Sequence, residues 1–259
     1  KYDVIVLPSG ITKARIVNGL DPARHDKEFA WAYGVGDAGW TKLAEFVRNG
    51  GTLLAIGSSV ETARELLDLP IEKVLPEAPP RFGRAAGGQA ERAPQVPASE
   101  VERQLKDAFT SPARLMQTLR DRVADPESLF YCPGSLLQNE FDTEHPVAFG
   151  MPAAWPVFFE SDQAYRIRPG FDIETDVVAR YPRENILQSG WLLGGDYLRD
   201  QANVVSFAVG RGTVVTFGSQ IDFRTQPRAT FKLLFNAIFH GPSTQIDAAQ
   251  MQRLTAGTN

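Results

Sequence analysis

Residues Gly50 to Ala63 read Gly-Gly-Thr-Leu-Leu-Ala-Ile-Gly-Ser-Ser-Val-Glu-Thr-Ala. A short apolar run, a tight turn and a helix start follow one another without a spacer. That is the repeating unit of an α/β sheet. A sharp strand-to-helix bend holds a side chain out at the sheet's C-terminal edge, a favoured place for a nucleophile. Here the apex carries Gly57, Ser58 and Ser59, with no cysteine. The frame of a catalytic elbow is present without an evident catalyst.

The flanking segments extend the α/β pattern. Tyr2 to Leu7 reads as a buried strand ended by Pro8-Ser9-Gly10, and residues 11 to 36 read as irregular. After Asp37, a candidate N-cap, Trp40, Leu43, Ala44 and Val47 fall on one helical face that Gly50 and Gly51 terminate. Leu53 to Ile56 is the next strand and Val60 to Leu67 the next helix. Strand–helix–strand–helix order implies a mostly parallel sheet.

Residues 76 to 127 read as an insertion. Pro76 to Pro97, rich in Pro, Gly, Ala and Arg, is expected to be flexible; Ser99 to Val123 regains helical periodicity, split at Pro112. The C-terminal half is strand-rich, with candidates at Ser135–Phe141, Val157–Glu160, Val177–Tyr181 and Ile186–Leu193. Val204–Val209 and Thr213–Phe217 flank a hairpin signal at Gly210-Arg211-Gly212. A helix over Thr230–His240, with Phe231, Leu234, Phe235 and Ile238 on one face, stops at Gly241-Pro242. A single domain over residues 1–242 is expected. Residues 243–259 form a polar tail that reads as an amphipathic helix or a frayed end.

With 259 residues and a net charge of -4, the chain shows no basic footprint for nucleic acid. No apolar run is long enough for a membrane span. The single cysteine, Cys132, precludes an internal disulfide, which fits a reducing compartment and equally an exported protein that uses none. A start at Lys1, with no initiator methionine or signal peptide before the first strand, reads as a piece of a longer protein.

Ser58 and Ser59 are the candidate nucleophiles, with Glu61 and Asp222 as supporting carboxylates. The competing reading of Ser58-Ser59-Val60-Glu61 is a capping box, and it is the stronger one, because a serine nucleophile also needs an oriented base. His25, His145 and His240 are the available imidazoles, and none has the sequence context of one. Cys132 reads as a small buried residue. His25-Asp26-Lys27-Glu28 has a zinc-ligand spacing without a third ligand, so no metal site is expected. Gly34, Gly36 and Gly39 lack dinucleotide spacing, and Gly194-Gly195-Asp196-Tyr197 reads as a turn. Gln220 to Arg224 follows a strong strand, where polar residues contact ligands; an Asp222–Arg224 pair that orders the loop explains them equally well. Candidate binding residues are therefore Ser9, Gly10, Gly57, Ser58, Gln220 and Arg224.

Several stretches, in order, resemble a known family: Tyr2 to Ser9, Phe46 to Leu53, Phe130 to Leu137, His145 to Pro152, Ser189 to Gly194, and Phe223 to Pro227 followed by Thr230 to Ala237. Together they are similar to the class I glutamine-amidotransferase-like domain found C-terminal to a carboxypeptidase A-like zinc peptidase domain in bacterial proteins. The resemblance implies a flavodoxin-like sheet whose first strands precede Lys1. It also implies a periplasmic or secreted parent, with zinc confined to the peptidase domain and no cofactor in this chain. Against the amidotransferase pattern, the elbow cysteine falls near Gly57 or Ser58 and the late histidine near Asp222, so both catalytic positions depart from the enzyme. The expectation is a non-catalytic accessory domain that binds its own peptidase domain, a small molecule or a peptide. The alternatives are a hydrolase using Ser58, Ser59, Glu61, Asp222 and Arg224, and an oligomerisation domain using the aromatic stretch Phe29 to Trp40.

Overall fold

In a computed structural model, residues 2–76, 113, 130–160, 162–168, 173–225 and 228–243 are described. The expected insertion at 76–127 and the tail at 243–259 fall almost wholly outside them. The chain divides into two compact units. The smaller is Pro76–Tyr131 with Leu192–Gly194, in which Tyr131 and Leu193 form an antiparallel bridge. The larger unit holds the remainder of the chain.

The parallel core of the larger unit is built from β1 (Val4–Leu7), β2 (Thr52–Ile56) and β10 (Gly212–Phe217). β2 lies between the other two and parallel to both. Every residue of β2 and β10 is buried, as continuous apolar runs covered on both faces should be. Leu53 and Ala55 face the cluster formed by Ala44 and Val47 of α2 (Gly36–Arg48) and Val60, Ala63 and Leu67 of α3 (Val60–Leu67). Thr52 faces the opposite helix, α4 (Phe231–Ser243). Trp40 and Leu43 pack against the same cluster as Ala44 and Val47, so the expected face of α2 forms. The helix starts two residues earlier than expected, with Val35 rather than Asp37 at the N-cap, leaving Asp37 inside the first turn.

Beyond β10 the sheet turns antiparallel. β9 (Ala202–Val209) pairs with β10 across the expected hairpin, then with β7 (Glu174–Arg180). Next come β4 (Pro133–Phe141) and β5 (Ala154–Glu160). Three short strands lie off this path: β3 (Ile71–Lys73) on β6 (Tyr165–Ile167), and β8 (Leu187–Ser189) on β4. The α/β reading holds, but the mostly parallel sheet does not: parallel pairing joins β2 to β1 and β10, and the other pairings are antiparallel. The reason is local. A two-residue turn at Gly210-Arg211 can only return the chain beside its own strand, and antiparallel strands need no crossover helix.

Two further differences have physical causes. The irregular segment contains a one-turn-and-a-half helix, α1 (Lys13–Asn18), whose N-cap Thr12 accepts a hydrogen bond from Arg15 N. α4 buries Leu233, Ala237 and Gly241 rather than the expected Phe231, Leu234, Phe235 and Ile238. A Cβ on Gly241 would lie 2.0 Å from Thr52 Oγ1. The C-terminal half of the helix therefore approaches the sheet on its small residues Ala237 and Gly241, and Phe235 and Phe239 are left exposed.

Candidate functional site

The three parallel strands end at one edge of the sheet: Leu7 pairs with Ala55, and Phe217 with Ile56. Three loops leave from there side by side and carry Ser9–Gly10, Gly57–Ser59 and Gly218–Gln220. Five of the six predicted binding residues, Ser9, Gly10, Gly57, Ser58 and Gln220, meet here. This is the carboxyl end of parallel strands, where α/β sheets hold ligands.

Gly57 is the apex, with a φ of +57°. A Cβ there would lie 2.6 Å from Ser9 Oγ and 3.1 Å from Gln220 Cγ. The room that a side chain at the bend would occupy is already filled from both sides. Ser58 Oγ accepts a hydrogen bond from Gly10 N at 2.9 Å and lies 3.4 Å from Ser9 Oγ. Ser59 is fully buried; its Oγ donates to Pro8 O and accepts from Ile11 N at 2.9 Å. Thr62 Oγ1 adds a bond to Ile11 O at 2.7 Å. The capping box is thus corrected. Neither serine caps the helix it precedes, because a 3-10 turn at Gly57–Ser59 has already begun it and points both hydroxyls at the β1–α1 loop. Glu61 does not reach back either. Its Oε2 pairs with Arg64 at 3.0 Å and Lys73 at 3.5 Å.

Gln220 is anchored from below by Asp162, which is 4% exposed. Asp162 Oδ2 accepts from Glu160 N at 3.1 Å and Gln220 N at 3.2 Å, and its Oδ1 accepts from Gln220 Nε2 at 3.2 Å. The same amide nitrogen reaches Glu160 O at 3.4 Å. Burial pushes the Asp162 carboxyl up to about 7, against the hydrogen bonds that favour its charge. Beside it, Asn203 Oδ1 accepts from Ser219 N and Ser219 Oγ, both at 2.9 Å. Asn203 Nδ2 donates to Asn139 Oδ1 at 2.7 Å. Tyr181 Oη lies 3.2 Å from Ser219 Oγ. This network fixes the Gly218–Gln220 loop and leaves few of its polar groups unsatisfied, as burial requires.

The other candidates do not join the site. Asp222 makes no side-chain hydrogen bond or ion pair among the described residues, and no ion pair joins it to Arg224. That expected pair is replaced by Arg224 lying 5.1 Å from the Phe223 ring, with Phe223 stacked on Phe158 at 4.4 Å. Arg224 sits at a φ of +46°. His145 and His240 meet each other at 5.6 Å. Burial lowers the pKa of both, and neither contacts a serine of the elbow among the described residues. His25 packs on Phe29. Burial pushes the Cys132 thiol up to about 11, which leaves it a poor nucleophile. Among the described residues, no group of three His, Cys, Asp or Glu side chains is placed to hold a metal ion, and no helix is long and apolar enough to cross a membrane.

Sequence reasoning missed Asp162 and the Asn139–Asn203–Ser219 network. Glu160-Ser161-Asp162-Gln163 looks like an ordinary polar turn, and no spacing marks its carboxylate as buried. For the asparagines a signal existed: a polar residue at an inward position of an otherwise apolar strand must find a partner.

No protein-family model matches this chain, and no curated protein sequence does. Solved structures with a related outline include a cytoplasmic protein from Salmonella typhimurium, 17% identical, with a TM-score of 0.41 over 93% of this chain and 72% of that one. A protein from Bacteroides uniformis described as ThuA-like is 13% identical, with a TM-score of 0.35 over 91% of this chain and 67% of that one. A second protein described as ThuA-like, from Parabacteroides merdae, is 14% identical, with a TM-score of 0.38 over 91% and 70% of the two chains. ThuA-like proteins belong to the class I glutamine-amidotransferase-like fold. At these TM-scores and identities, the likeness assigns this chain neither an activity nor a ligand.

Proposed function

We propose that this chain is a non-catalytic amidotransferase-like domain that binds a small molecule or peptide, or a partner domain, at the edge where β1, β2 and β10 end. The observation that carries this reading is Gly57. Gly57, one of the two positions against which the elbow cysteine falls, has no side chain, and Ser9 and Gln220 fill the space one would need. The adjacent hydroxyls are spent on backbone groups of the β1–α1 loop, and among the described residues no imidazole contacts them to serve as the base a serine nucleophile needs. On the sequence resemblance alone, the partner is a zinc-carboxypeptidase-like domain of the same bacterial, exported protein, and any zinc belongs to that domain.

Two assays test the reading. The purified chain is expected to release no ammonia from glutamine and to cleave no generic ester; turnover that Ser58→Ala abolishes would show a serine hydrolase instead. Nuclear magnetic resonance titration with dipeptides and small carboxylic acids is expected to shift the amides of Ser9, Gly10, Gly57 and Gln220 first. Shifts confined to other surfaces would remove this edge as the binding site.

A second reading, oligomerisation, is favoured by one observation: Trp31 is 83% exposed, beside exposed Phe29 and Val35. Light scattering that finds only monomer across a wide concentration range excludes it.

A further inference from the structure

Gln220 is the residue that closes over the Gly57 apex, with its Cγ 3.1 Å from where a Cβ would stand. Among the described residues its N–H groups donate to Asp162 and Glu160 and none to the elbow. Its backbone N–H and its side-chain amide are both tied to one carboxylate, Asp162, on the segment between β5 and β6. If this edge binds a ligand, as proposed above, Gln220 is the part of it that can move.

We propose that Asp162 and Gln220 form a proton-operated latch: the Asp162 carboxylate holds Gln220 across the elbow, and uptake of one proton from solvent releases it.

Donors and acceptors decide the matter. As a carboxylate, Asp162 only accepts, and it receives three N–H groups: Glu160 N and Gln220 N on Oδ2, and Gln220 Nε2 on Oδ1. A proton added to Oδ1 turns that oxygen into a donor facing another donor, the Nε2 group. The amide can answer by turning over and presenting Oε1. That move carries Oε1 toward Glu160 O, to which Nε2 donates at 3.4 Å in the closed form, and sets two acceptors against each other. Neither arrangement satisfies every group, so the protonated state favours Gln220 leaving the crevice for water. Its departure uncovers the space above Gly57.

The carboxylate is poised to respond, because burial raises its pKa to about 7. Among the described residues, the facing titratable groups are Glu160 at the end of β5, Tyr165 of β6, Tyr181 after β7 and Cys132 before β4. The charge of Glu160 further raises Asp162. Burial pushes Tyr165, Tyr181 and Cys132 upward, which keeps all three neutral over the relevant range.

The test follows the exchange of the Gln220 backbone amide in the ligand-free chain between about pH 5.5 and 8.5, a range that brackets the Asp162 titration. Rates are corrected for intrinsic exchange, with Val215 in the middle of β10 as the reference. Protection of Gln220 is expected to fall at least tenfold on acidification while Val215 stays level or gains. In Asp162→Asn, Gln220 protection is expected not to vary with pH. The wild-type Asp162 carboxyl carbon and the Gln220 side-chain amide should titrate with one shared midpoint, a readout that needs no variant. Gln220 protection that tracks Val215, separate midpoints, or a pH dependence retained in Asp162→Asn would each overturn the latch. Because no ligand is added, such a result leaves the binding reading standing. Loss of the titration shifts at the elbow would overturn the binding reading without touching the latch.

Discussion

The two halves of the sheet solve the same burial problem in opposite ways. β2 and β10 are covered by helices on both faces, and every residue is buried. β4, which lies beyond β9 and β7, alternates between buried residues such as Ser135, Leu137 and Asn139 and exposed ones such as Leu136 and Glu140. A strand with one wet face spends every second residue on water and tolerates variety there. A strand covered on both faces has no such freedom, and its ends are held rigidly enough to present loops in fixed register. The candidate site grows from the ends of the doubly covered strands, and the alternating half supplies the residues that brace it: Asn139, Asp162 and Tyr181.

That contrast can be broken in four places. The largest expected effect is on pH-dependent stability. Asp162 titrates near 7 when folded, above its unfolded value, so it binds a proton that the unfolded chain has lost. Its contribution is therefore present below its unfolded pKa and is lost as pH rises through about 7, at a slope of up to about 1.4 kcal/mol per pH unit. Denaturant titrations of wild type and Asp162→Asn from about pH 4 to 8 measure it; equal slopes would show that the carboxyl is not held near neutrality. Next, Leu53→Ala in the doubly covered half should cost about 3 kcal/mol. In Leu136→Ser, on the wet face of β4, the cost should stay near about 0.5 kcal/mol or below, the level of an ordinary surface change. Equal costs in a urea titration would erase the difference between the halves. Third, Gly57→Ala should cost about 2 kcal/mol, because a left-handed backbone disfavours any Cβ and this one meets Ser9. A stability equal to wild type would show that the apex is roomier than the contacts indicate. Smallest, Ser58→Ala should cost about 1 kcal/mol, as the loss of one partly exposed hydrogen-bond acceptor; calorimetry reads it, and a much larger loss would give Ser58 a structural role beyond the Gly10 contact.

The doubly covered half is legible in the sequence because continuous apolar runs admit few other readings. The strand Leu53–Ile56, the helix face of Trp40, Leu43, Ala44 and Val47, and the hairpin at Gly210-Arg211 all form as read. β3 and β6 escape notice because three residues carry no period. The mostly parallel sheet is an extrapolation from the first two strand–helix units, and the hairpin already argues against it. At the site, Ser9, Gly10, Gly57, Ser58 and Gln220 are legible by their place at strand ends. The role of the two serines is not. Ser-x-x-Glu spacing marks a capping box only if the helix begins after the serine, and the 3-10 turn begins it before.

By itself the sequence determined the α/β alternation, the bend at Gly57 and the absence of a thiol there, since these depend on residue type and near neighbours. The tertiary structure decided what surrounds the bend. The Cβ space above Gly57 is filled by two residues remote from it in the chain, Ser9 far upstream and Gln220 far downstream. The carboxylate that holds Gln220 comes from a third strand's end. Which groups are desolvated, and which donor meets which acceptor, depends on contacts between segments far apart in the chain, and no local pattern encodes them.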